Sequence, residues 1–212
     1  MSHAELDSPE PAPGADASAP AVVRKRPKPG ERRVQILQAL ATMLEQPGSE
    51  RITTAALAAR LEVSEAALYR HFASKAQMFE GLIEFIEQSV FTLINQIAER
   101  EPPGPSQAGR IVAMLIQFAE KNPGMTRVMV GDALVFENER LQQRMNQFFD
   151  KVEASLKQCL RSTADASAPT VDAAVRASVL TAFIVGRLQR FARSGFKRAP
   201  SEHLEASLAR ML

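Results

Sequence analysis

From about Gly30 to the C-terminus, apolar residues recur every three or four positions, and no stretch alternates apolar with polar. A strand buries every second residue, whereas a helix buries a stripe with a period near 3.6, so this spacing excludes a sheet-based architecture. Hydrophobic residues make up 45% of the 212, enough to fill a helical core. A first helix is predicted over about 31–45, with Val34, Leu37, Leu40, Ala41 and Leu44 as its buried stripe and Pro47-Gly48 as its stop. A second, ITTAALAARL at 52–61, has Thr53 as N-cap, and a third of about nine residues is capped by Ser64. A fourth starts at Ser74 and reaches about Arg100, carrying Met78, Phe79, Leu82, Phe85, Ile86 and Val90.

The run PPGPS at 102–106 is the clearest break after residue 50. Beyond it come RIVAMLIQFAEKN, a stop at Asn122-Pro123-Gly124, a short helix around TRVMV and a long one over about 137–162. After a loop around DASAPT, another long helix carries VLTAFIVGRLQRFARS, and a last amphipathic one covers 201–212. The fold class is all-α with about nine helices: a three-helix N-terminal unit at 29–75 and a larger helical unit at 76–212.

Residues 1–28 differ in kind. Pro, Ala and Ser dominate, large apolar side chains are scarce, and such a segment is expected to be disordered. Its first 23 residues carry four acids and no lysine or arginine, whereas the next ten, RKRPKPGERR, carry six basic residues and one acid. The net charge of +2 selects no partner by itself. Cys159 is the single cysteine, which excludes an intrachain disulfide and reads as a small apolar-face residue. There is no signal-peptide layout and no apolar run of about 18 residues, so a soluble cytoplasmic protein is expected. His3, His71 and His203 share no ligand spacing with Cys159, and no Gly-rich phosphate loop, nucleophile elbow or HExxH occurs. Neither catalysis nor a metal or cofactor is expected.

Two short helices joined by a tight turn read as a helix-turn-helix. Leu68 and Phe72 lie four apart and share a face that can pack on Leu57, Leu61 and the first helix. Ser64, Glu65, Ala66, Tyr69, Arg70 and His71 are left pointing outward, and the small Ala66 and Ala67 keep that face low enough for a DNA major groove.

ITTAALAARLEVSEAALYRHFASKAQMF resembles the DNA-binding half of TetR-type regulators over about 50 residues. The resemblance implies that Tyr69, His71 and Lys75 bind phosphates and that Thr53 or Thr54 does so through its hydroxyl. Arg70, with Ser64 and Ala66, is then the candidate for reading bases. Glu62 stands in the turn where such regulators usually have glycine. The RKRPK arm reads either as a solvated tail or as a segment lying along phosphates or in the minor groove.

Three further stretches, IEFIEQSV, AEKNPGMTRVMVGDALVFENERLQQRMNQFF and FARSGFKR, resemble one branch of these proteins, the nucleoid occlusion factors of bacterial cell division. That likeness implies a homodimer on palindromic double-stranded DNA that antagonises the tubulin-like GTPase of the division ring. No membrane and no small-molecule ligand is expected, and the location is cytoplasmic, on the nucleoid. It also implies that Phe85, Lys121 and Asn122 face the division protein, whereas Leu93 and Gln117 stand where the branch has arginine and glycine.

Val179, Phe183, Gly186 and Leu188 on the penultimate helix, together with the last helix, could form a four-helix dimer interface; the same residues could equally be the monomer's own core. Dimerisation is expected from the DNA side in any case, because one short helix reads only a few base pairs. Two readings compete. A ligand-responsive repressor would line an apolar pocket with Met114, Phe118, Met125, Met129 and Phe136, although such a stripe is more often plain core. A pure protein adaptor would have lost the polar face that Tyr69, Arg70, His71 and Lys75 still provide.

Overall fold

The computed structural model describes residues 30–46, 52–161 and 169–212; the tail, the basic arm, Pro47-Gly48 and most of the DASAPT loop lie outside them. Among the described residues there are nine α-helices and no strand. They are α1 (Glu31–Leu44), α2 (Thr54–Arg60), α3 (Glu65–Tyr69), α4 (Lys75–Arg100), α5 (Pro105–Lys121), α6 (Pro123–Met129), α7 (Glu139–Leu160), α8 (Pro169–Arg193) and α9 (Leu204–Met211). No described helix is long and apolar enough to cross a membrane.

Local chemistry sets the starts of the N-terminal helices. The side-chain oxygens of Thr53, Ser64 and Ser74 accept the backbone N–H of Ala56, Ala67 and Gln77 at 3.1, 3.3 and 3.2 Å. Each cap satisfies one of the donors that a helix start leaves open. Helix α3 is only five residues long, shorter than expected, because Ser74 starts α4 so soon after it. Burial holds it: Leu68 and Phe72 are fully buried in the same core cluster as Leu40, Leu44 and Leu57.

The α1 stripe needs correcting. Val34 is 52% exposed and Ile36 is fully buried with Leu40, Ala41 and Leu44. Both sets satisfy helical spacing, so spacing alone could not choose between them; α1 packs on α4 and α6. Phe85 also leaves its predicted stripe: 47% of it is exposed, while Met78, Phe79, Leu82, Ile86 and Val90 are buried.

Glu62 has φ +54° in the turn between α2 and α3, the left-handed region that favours glycine. Glu62→Gly is therefore expected to stabilise the chain by ~1 kcal/mol, raising Tm by about 2–4 °C in a thermal melt. An unchanged or lower Tm would mean that the glutamate side chain offsets its backbone cost.

Helix α4 crosses from one unit into the other, and a single buried cluster extends from Ile36 to Leu204. PPGPS is a tight connection: Pro105 is the first residue of α5, and α5 packs back on α4. Two ion pairs, Arg140–Glu80 and Arg144–Glu87, fasten α7 to α4. The hydrogen bond to Glu87 raises the Arg144 pKa, so this guanidinium stays charged.

Helix α6 is set against α1. Gly124 lies so close that a Cβ there would be 1.9 Å from the Ala41 carbonyl oxygen. Arg127 extends the contact, donating to the Leu44 carbonyl at 3.4 Å and pairing with Asp132 at 3.1 Å. Asp132–Leu134 forms a 3-10 turn that the sequence pattern did not announce. Cys159 is buried, and burial pushes its thiol pKa up, as a structural cysteine requires.

On α8 one face, Ala173, Ala177, Leu180, Ile184 and Leu188, is completely buried. Leu188 therefore belongs to the monomer's own core and not to an exposed dimer face. The opposite face is open: Val171, Val175, Val179, Ala182 and Gly186 are exposed.

Candidate nucleic-acid interface

The polar face of the helix-turn-helix stands on the buried Leu68 and Phe72. Ser64, Glu65, Ala66, Tyr69, Arg70 and His71 are all exposed, as their spacing implied. Arg33 of α1 locks the end of α3, donating to the His71 carbonyl at 2.8 Å while its guanidinium lies 4.1 Å from the centre of the Phe72 ring. The His71 side chain is left outside.

Three candidates are drawn together. Thr54 donates to the Glu65 carboxylate at 2.6 Å, and the Tyr69 hydroxyl reaches Thr54 Oγ1 at 3.5 Å. This occupies Thr54 and keeps Glu65 beside α2, so Thr53, whose oxygen caps α2, has the freer hydroxyl hydrogen.

Lys75 is placed differently. It forms an ion pair with Glu137, from the loop before α7, and only 27% of its side chain is exposed. A phosphate would have to displace that carboxylate. Nothing in the local pattern signals this, since the partners lie 62 positions apart.

In the C-terminal unit, Lys121 is exposed at the end of α5. Asn122 is half-buried, and its side-chain amide donates to the Phe118 carbonyl at 2.7 Å, closing α5 where α6 begins. Gln117 is exposed, and Leu93 lines a shallow recess of about 140 Å³ with Met114 and Arg110. Of the residues offered for a ligand pocket, Phe136 is 68% exposed and Met129 is 2% exposed. A larger recess of about 400 Å³ lies elsewhere, between α4, α5 and α7, among Asn95, Gln107, Ile111 and Gln158.

Comparison with known proteins decides the family. Residues 36–82 match the family described as bacterial regulatory proteins, tetR family, and 106–211 match the tetracyclin repressor-like C-terminal domain. The chain is 53% identical over 177 residues to nucleoid occlusion factor SlmA of Idiomarina loihiensis, covering 82% of this chain and 90% of that one. The chain belongs to the nucleoid occlusion factor family. The factor of Photobacterium profundum is 50% identical over 181 residues, with 84% of this chain and 92% of that protein covered. Members are DNA-binding proteins of the tetR type, so this chain is a DNA-binding nucleoid occlusion factor.

Solved structures agree at the level of fold. The regulator FadR from Bacillus subtilis, in complex with stearoyl-CoA, superposes with a TM-score of 0.66 at 13% identity, covering 84% of this chain and 96% of that one. A TetR regulator from Legionella pneumophila gives 0.69 at 13% identity, with 89% and 100% covered.

Proposed function

We propose that two copies of the chain bind a palindromic chromosomal site, one α3 per half-site, and that the DNA-bound dimer blocks assembly of the tubulin-like division-ring GTPase over the nucleoid. The observation that carries the DNA reading is the exposed face of Ser64, Ala66, Tyr69, Arg70 and His71 on a helix anchored by buried Leu68 and Phe72. In this reading Arg70 reads a base edge with Ser64 and Ala66 beside it, and Thr53, Tyr69, His71 and Lys75 hold phosphates. The open face of α8, with Val179 and Gly186 exposed and Phe183 half-buried beside them, supports dimerisation. The protein acts on the nucleoid in the cytoplasm, and Phe85, Lys121 and Asn122 belong to the surface that meets the GTPase.

The two kinds of DNA contact separate experimentally. Arg70→Ala is expected to cost about 1–3 kcal/mol on the preferred palindrome and to relax preference at one base position. Lys75→Ala should weaken every duplex alike and lower the slope of log K against log salt by about 2, one for each protomer. If neither variant alters binding across a salt series, another surface contacts DNA. For the partner, sedimentation of the purified division GTPase with and without palindromic DNA provides the readout. DNA-bound protein should suppress polymers, and Phe85→Ala should abolish that effect at unchanged DNA affinity. Polymers indifferent to the DNA-bound protein would refute the partner.

A further inference from the structure

Five cations of the C-terminal unit each face a carboxylate. Arg110 meets Glu101, Arg127 meets Asp132, Arg140 meets Glu80, Arg144 meets Glu87 and Arg176 meets Asp172. The end of α8 is different. Arg190, Arg193, Lys197 and Arg198 put four cations into nine residues that contain no acid. All four are exposed, and none is paired with a carboxylate among the described residues.

Their place in the fold gives the cluster a direction. Gln189 and Arg193 border a surface recess with Val130, Gly131, Asp132, Val135 and Gln142, so the end of α8 lies beside the start of α7. Val135 is two positions before Glu137, which holds Lys75, the first residue of α4 after the helix-turn-helix. The cationic end of α8 is thus at the DNA-binding end of the molecule. Asp132, the carboxylate in that recess, is already held by Arg127.

The cluster is also built on a firm turn. The N–H groups of Gly195 and Phe196 donate to the carbonyls of Ala192 and Phe191, each at 3.0 Å, and Gly195 has φ +61°. The Phe196 ring meets that of Phe191 edge-on at 5.1 Å. Ser194 Oγ then accepts the N–H of Lys197 and of Arg198 at 3.1 and 3.0 Å. Arg190 and Arg193 suit the negative end of the α8 dipole, but Lys197 and Arg198 lie past the helix, where that account has nothing to say.

We propose that Arg190, Arg193, Lys197 and Arg198 form a second contact with the DNA backbone, made by the C-terminal unit and blind to sequence. The inference rests on the proposed dimer: with α8 at the twofold axis, both clusters fall between the two α3 helices, above the centre of the palindrome. The matching ligand is the row of phosphates there.

The test uses the full chain with Lys197→Gln and Arg198→Gln combined. Binding to a palindromic and to a scrambled duplex should weaken by the same factor, roughly tenfold at low salt, and the salt slope should fall by about 3–4, because the dimer loses two cations from each protomer. Wild-type protein on a palindrome with uncharged methylphosphonate linkages at its centre should bind about as weakly as the variant on ordinary DNA, and the variant should lose little on that duplex. An unchanged slope overturns the proposal, as does an equal loss for both proteins on the methylphosphonate duplex. A variant that sediments as a monomer overturns it too, by assigning the cluster to dimerisation. An unchanged slope with lost suppression of the division GTPase would assign the cluster to that protein instead. Failure of the underlying DNA reading looks different: wild type would not distinguish the palindrome from the scrambled duplex.

Discussion

Val179→Asp is expected to yield a folded monomer that binds palindromic DNA about a hundredfold or more weakly than the parent chain. Val171, Val175 and Val179 are 64%, 58% and 51% exposed, one helical turn apart on α8. A contiguous apolar stripe of this kind on a folded chain marks an interaction site. Gly186, on the same side, has nothing within 4 Å of the position its Cβ would take, so a second helix can approach closely there. A twofold contact brings each aspartate into that stripe from both copies, and removing two carboxylates from water costs several kcal/mol per charge. Val179 is half-exposed and lies on the face of α8 opposite the buried Leu180 and Ile184, so helicity and melting of the monomer should be largely retained. The DNA loss follows from geometry. Once one half-site is held, the second α3 binds at an effective concentration in the millimolar range, and a monomer forfeits that gain. Sedimentation equilibrium and fluorescence anisotropy on a palindromic duplex measure both effects. A dimer at micromolar concentration with parental affinity would mean that α8 is not the interface.

The parts of this molecule that sequence revealed are those set by neighbours within four residues. Thr53, Ser64 and Ser74 cap their helices through hydrogen bonds to the third residue onward, and Leu68 with Phe72 defines the buried side of α3. Glu62 is likewise local: the turn demands a left-handed residue whatever occupies it. The errors arose where two spacings were equally helical and a distant element chose between them. Val34 gave way to Ile36, which is buried in the core that α1 shares with α4 and α6. Leu188 turned inward with Ile184, which left Val171 and Val175, outside the quoted segment, to extend the open face of α8. Lys75 meets its partner through tertiary structure alone, since Glu137 enters from the loop before α7. Asn122 combines both levels, because the Asn-Pro-Gly stop was legible but its bond to the Phe118 carbonyl was not.

Gly124→Ala should cost ~2–3 kcal/mol and lower Tm by roughly 4–12 °C, far more than one methyl group on a surface helix would. The added Cβ would lie 1.9 Å from the Ala41 carbonyl oxygen and 2.8 Å from its carbon, both backbone atoms in the last turn of α1. No rotamer change relieves a collision between a Cβ and a main chain, so α6 must move away from α1. That movement pulls on Arg127, which spans from α6 to the Leu44 carbonyl and to Asp132. It also disturbs function, because α1 carries Arg33, whose bond to the His71 carbonyl steadies the end of α3. DNA affinity should therefore drop well below the melting temperature, and in the same proportion for palindromic and scrambled duplexes if only phosphate placement suffers. Gly109→Ala is the control. There the nearest atom is Leu212 Cδ1 at 3.2 Å, the end of a flexible side chain. Alanine in the interior of α5 should be neutral or add up to ~1 kcal/mol. Equal melting shifts for the two variants would show that α1 and α6 can separate without penalty, and that the α8 face and the DNA-binding unit are not held in one fixed relation.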